Sequence, residues 1–175
     1  IIEKGGTIPE INFKTPNKLK QMIVFIKRDV LSKVADLQYL LITLLEAPIL
    51  AIALSFLIRF FDESKPVPKY ILSENDNLPV YIFMSVIIAI FMGLTVSAEE
   101  IIKDRKILKR EAFLNLSWNS YLMSKVFVQL AISAVQALTF VIIGNTIIGI
   151  KGMWFEYWLV LFSCWAGANI LGLVI

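Results

Sequence analysis

Imidazole chemistry is absent and thiol chemistry scarce in this chain, because the sequence holds no His and a single Cys, Cys164. A structural zinc needs clustered Cys and His, and an internal disulfide needs a second thiol, so neither is expected. The stretch Gly144-Asn145-Thr146-Ile147-Ile148-Gly149-Ile150-Lys151 has a spacing close to that of a phosphate-binding loop. An extra residue separates Gly149 from Lys151, however, no Ser or Thr follows the Lys, and the stretch lies in an apolar segment. No catalytic residue, cofactor-binding residue or metal ligand is therefore expected, and the fragment is not expected to bind or hydrolyse ATP by itself.

The charges that remain are concentrated. From Glu99 to Glu111, nine of 13 residues are charged, and the other four form the apolar pairs Ile101-Ile102 and Ile107-Leu108. A loop that is only solvated needs no such pairs, so this segment is expected to pack on a partner. Glu46 is the other unusual group. It sits in an uncharged run, where an ionisable side chain normally faces protein or water. At similar depth lies Lys125, so Glu46 is expected to pair with Lys125 or to accept a hydrogen bond from Gln129. A proton-coupled or substrate-contacting role is the sharper alternative. Pro48, two residues on, removes a backbone donor and is a candidate kink.

The elements that position these groups follow from composition. Hydrophobic residues make up 58% and charged residues 18%, against about 45–50% and about 25% in soluble chains. Four stretches approach the roughly 20 apolar residues that cross a bilayer: 39–61, 79–98, 121–150 (uncharged from Val126) and 157–175. The coupling segment between the second and third is taken as 99–117. Residues 1–16, with Gly5-Gly6, Pro9 and Pro16, read as a linker from an upstream cytoplasmic domain. With Ile1 in the place of an initiator Met and an apolar run reaching Ile175, the chain reads as an excised fragment.

Residues 17–38 carry Leu19, Met22, Ile23, Ile26, Val30, Val34 and Leu37 at three- and four-residue steps, with charges between them. This is an amphipathic connecting helix expected to lie in the membrane interface. Thirteen of the 17 Lys and Arg fall before the first span or in 99–125, which places both segments and the amino terminus in the cytoplasm. The membrane would be the inner one in a bacterium. No basic patch with interleaved aromatics suggests nucleic acid. Ala89, Gly93 and Ser97 in the second span, and Ala168 and Gly172 in the fourth, recur every four residues and mark close helix packing.

Lys27-Arg28 on the connecting helix, Asp36-Leu37-Gln38 at the start of the first span, and Glu99, Asp104-Arg105-Lys106-Ile107-Leu108 and Arg110-Glu111 after the second occur in a telling order. Together with Tyr121-Leu122-Met123-Ser124-Lys125, they resemble the transmembrane half of an ABC exporter of the G-subfamily (White-type), a type-2 ABC exporter. Leu37 departs from the Pro of that family's pattern.

The resemblance implies an all-α membrane protein: a connecting helix and four transmembrane helices of an expected six-span permease domain, with a cytoplasmic coupling helix. It implies an ATP-binding cassette as partner in the same polypeptide, with ATP and Mg bound there, and a homodimer or half-transporter heterodimer in the bilayer. Ile101, Ile102, Lys103, Asp104, Arg105, Lys106, Ile107, Leu108, Lys109 and Arg110 would contact the cassette. An Arg28–Glu111 ion pair would brace the coupling helix, and Phe91 and Met92 would line a central cavity. An amphipathic or lipid-like substrate is implied by class. The competing expectation is a multi-span anchor or scaffold for the upstream domain; a channel lacks a repeated polar ring.

Overall fold

Alternation between long apolar helices and short polar breaks decides the architecture. The structure, a computed structural model, describes residues 17–59, 61, 63–64, 66, 70–111 and 117–174; the side chains of 99, 101, 105–108 and 110–111 lie outside that description. The expected 1–16 linker also lies outside it. Five α-helices follow one another: α1 (Lys18–Ala35), α2 (Leu37–Ile58), α3 (Leu78–Glu111), α4 (Trp118–Ile148) and α5 (Trp154–Val174), with a 3-10 turn at Leu72–Glu74 before α3. Among the described residues there is no strand. The expected all-α fold, an amphipathic helix followed by four apolar helices, is the one observed.

Helices α1 and α2 are separated by one residue. Asp36 ends α1, and its side chain accepts a hydrogen bond at 3.1 Å from the Tyr39 N–H, capping α2. Pro48 lies inside α2, which runs on to Ile58. At the far end of α4, Gly149 takes a left-handed conformation (φ 79°), and the N–H groups of Gly149 and Ile150 close on the Asn145 carbonyl at 2.8 and 3.0 Å. The stretch that resembled a phosphate-binding loop is therefore a helix end and its glycine cap.

All of α2, α4 and α5, and α3 as far as Asp104, are long and apolar enough to cross a membrane. With 22 and 21 residues, α2 and α5 match a hydrocarbon core of roughly 30 Å. Helices α3 and α4, at 34 and 31 residues, are longer by about 10–20 Å. The expected second span, 79–98, and the first part of the coupling segment are thus one continuous helix, because no Gly or Pro interrupts the chain between Leu94 and Glu111.

The spans form a four-helix ring in which α2 packs on α4, α4 on α5, α5 on α3 and α3 on α2, while α3 and α4 lie diagonally. Helix α1 packs chiefly on α4. Ala47, Ala51, Ala89, Met92, Ala137, Phe140, Val141, Leu161 and Trp165 fill the centre. The α3–α5 contact is the most extensive. A methyl group added at Gly93 would sit 2.7 Å from the Trp165 carbonyl oxygen and 2.8 Å from Ala168 Cβ, and one at Gly172 would sit 3.0 Å from the Leu94 carbonyl. The small-residue faces expected from the sequence meet each other.

Polar bonds cross the same bundle. Gln136 Nε2 donates to the Thr43 carbonyl at 2.9 Å, Asn169 Nδ2 to Ser133 Oγ at 2.5 Å, and Tyr157 OH to Ser85 Oγ at 2.5 Å. In an apolar medium each such bond pins helix rotation, since the alternative is an unsatisfied polar group.

Candidate functional site

At one end of the bundle, α3 and α4 meet the second half of α1, and five charged side chains gather there. Each helix contributes residues one turn apart, so that they share a face: Asp29 and Lys33 on α1, Glu100 and Asp104 on α3, and Tyr121, Lys125 and Gln129 on α4. The Lys125 ammonium lies 2.7 Å from Glu100 Oε1 and 2.7 Å from Asp104 Oδ2, and it also pairs with Asp29. Lys33 pairs with Glu100 and, at 3.3 Å, with Asp29. Glu100 is therefore shared between two ammonium groups.

Neutral donors complete the shell. Gln129 Nε2 donates to Glu100 Oε2 at 3.2 Å, and Tyr121 OH donates to Asp104 Oδ2 at 2.7 Å. Tyr39 OH reaches Glu100 Oε2 at 3.5 Å, and its ring is flanked by two cations, Lys33 at 5.3 Å and Lys103 at 5.0 Å from the centroid. Glu100, Lys125, Gln129 and Asp29 are all buried. Ions taken this far out of water are tolerable only when paired, and here Lys125, Glu100 and Asp29 each have at least two charged partners, although Asp29 Oδ2 accepts no hydrogen bond among the described residues.

Three carboxylates, Asp29, Glu100 and Asp104, converge closely enough to bind a cation. The Lys125 ammonium occupies the point between them. What the arrangement does is mechanical: it fastens α1, α3 and α4 together where α3 runs on past the spans. Lys125 accomplishes what backbone packing does not, since α3 and α4 are diagonal and touch little elsewhere.

Several expected site residues take other positions. The expected Glu46–Lys125 pair is replaced: Lys125 pairs with Asp29, Glu100 and Asp104, and Gln129 donates to Glu100. Glu46 instead lines a cleft of about 310 Å³ with Asp36, Gln38, Tyr39, Thr43, Thr95 and Lys103. Equal depth in two helices did not mean facing sides. Within this chain Met92 is 2% exposed and packed in the central core, whereas its neighbour Phe91 is 66% exposed on the outer surface. Residues one apart on a helix point about 100° apart, so the two meet different surroundings within the chain.

In the coupling segment, Asp104 turns inward to Lys125 and Tyr121, Lys103 lies over Tyr39, and Ile102 (72% exposed) and Lys109 face outward. The side chains of Ile101, Arg105, Lys106, Ile107, Leu108, Arg110 and Glu111 lie outside the described residues, and the Arg28–Glu111 pair with them. The Arg28 guanidinium lies 5.4 Å from the centre of the Phe25 ring. Asp29, Lys33, Glu100, Tyr39 and Tyr121 were not anticipated as site residues. The signal that could have found them is the repeated four-residue spacing of polar groups on three helices beside apolar faces.

The sequence matches a known membrane domain: the family model of the ABC-2 type transporter covers residues 20–175. The chain belongs to the ABC-2 type transporter family. No curated protein and no solved structure matches it significantly. As an ABC-2 membrane domain it is the permease part of an ABC transporter, and it is a multi-pass membrane protein. The buried ion cluster accordingly lies where the amphipathic helix α1 of this ABC-2 domain meets the second and third of its apolar helices, α3 and α4.

Proposed function

We propose that this ABC-2 domain is the permease of an ATP-driven exporter of the G-subfamily type, with a cassette upstream in the same polypeptide and an amino terminus in the cytoplasm. The observation that carries this reading is the clasp of Lys125 and Lys33 on Asp29, Glu100 and Asp104. A cassette that binds ATP and Mg and pushes on the exposed end of α3, through Ile102, Lys109 and their neighbours, would move a rigid 34-residue helix. The clasp would carry that movement to α1 and α4 together, and so to the ring of spans.

A fused cassette is held at high effective concentration, so its contacts with α3 can be weak and still transmit force. Two copies working as a dimer would enclose the translocation path, and an amphipathic or lipid-like substrate suits spans whose outer faces are apolar. A plain anchor would need neither the extension of α3 nor buried ions. In proteoliposomes holding the full-length protein, ATP and Mg should drive movement of a short-chain fluorescent lipid across the bilayer. Movement that is indifferent to ATP, or none for any amphipathic probe, would favour the anchor.

A further inference from the structure

Between α1, α2 and α4 lies a groove of about 350 Å³ whose walls are almost wholly apolar, formed by Val30, Val34, Leu44, Phe127, Ala131 and Val135 among others. Val30, Val34, Leu44, Phe127 and Val135 are also exposed, so the groove opens on the outer face of the bundle. That face continues along the exposed Leu41 and Leu45 of α2 and Leu138 of α4, which in a bilayer are bathed in acyl chains. At the α1 side the chemistry changes. Lys20 and Lys27 are exposed and fall two turns apart on one face of α1, beside the Val30 and Val34 stripe.

We propose that this groove is a binding site for an anionic phospholipid, one acyl chain filling it and the phosphate held at Lys20 and Lys27. Charge complementarity selects the head group: a basic pair on the face of α1 that leads to the groove attracts phosphate. The apolar walls select the tail. Lys33 and Tyr39 belong both to the groove wall and to the ion clasp. A bound chain therefore backs the clasp from the lipid side and holds α1 in place. The site rests on the membrane placement of the bundle and is independent of whether the domain transports.

Native mass spectrometry of the full-length protein, titrated with phosphatidylglycerol or phosphatidylcholine, tests this. Wild type should retain phosphatidylglycerol in preference to phosphatidylcholine. Ala131→Trp and Val34→Trp, which fill the groove from opposite walls, should each weaken retention about tenfold, while Ile142→Trp, on an exposed part of α4 outside the groove, should not. Lys20→Gln with Lys27→Gln should abolish the head-group preference and leave some binding. Unchanged phosphatidylglycerol retention in both groove-filling variants, with normal gel-filtration profiles, would overturn the proposal. So would a change of oligomeric mass in those variants without lipid loss, since a protein segment would then cover the groove.

Discussion

Lys125 Nζ and Glu100 Oε1 lie 2.7 Å apart although their helices occupy opposite corners of the four-helix ring. The pair is buried, and each member has further partners, so the contact closes a diagonal that backbone packing leaves open. Removing the cation leaves Asp104 without a charged partner among the described residues and leaves Asp29 and Glu100 to share Lys33 alone. Lys125→Met should therefore cost about 3–5 kcal/mol, read as a lowered thermal unfolding midpoint of the purified protein in detergent. Glu100→Gln, which keeps a hydrogen-bonding side chain and leaves Asp29 and Asp104 to pair with Lys125, should cost less.

Tyr121 and Asp104 form one hydrogen bond to a charged acceptor. Tyr121→Phe and Asp104→Asn should each destabilise, and the double variant should fall short of the sum by about 1–2 kcal/mol. A double-mutant cycle on unfolding midpoints measures this; strict additivity would mean the bond contributes nothing.

Tyr39 sits between the Lys33 and Lys103 ammonium groups through its ring face, while its hydroxyl reaches Glu100 only at 3.5 Å. Tyr39→Phe should consequently keep most of the stability that Tyr39→Leu loses, the difference being about 0.5–2 kcal/mol. Thermal unfolding of the two variants side by side gives the comparison.

Glycine replacements should separate two roles. At Gly93 a methyl group meets the Trp165 carbonyl and Ala168, while at Gly167 it meets open space. Gly93→Ala should push α3 from α5 and lower the unfolding midpoint. Gly167→Ala, in the middle of exposed helix, should raise stability by about 0.5–1 kcal/mol.

The spans were legible because apolar length is a one-dimensional property, and the facing small residues Gly93 and Gly172 were legible because a four-residue repeat is a helical face. The site was less so. Asp29 reads in sequence as one more polar residue on a basic amphipathic helix, and only the packing of Phe25 and Asp29 against α4 turns that face inward. Glu46 was matched to Lys125 by depth, but pairing also needs angular position around each axis, which is set by tertiary packing. Phe91 and Met92 show the same limit, since adjacent letters became outer surface and core. The end of α3 was recognised as a distinct charged segment, yet its continuity with the second span depended on the absence of a helix breaker, a local signal that hydropathy windows do not register.

Coupling through the clasp is tested most directly by transport per ATP hydrolysed, measured for the full-length protein in proteoliposomes with wild type and Glu100→Gln compared at temperatures where both are folded. Glu100→Gln should hydrolyse ATP at a rate near wild type while moving at least several-fold less substrate per ATP. An unchanged ratio would contradict transmission through the cluster that joins α1, α3 and α4.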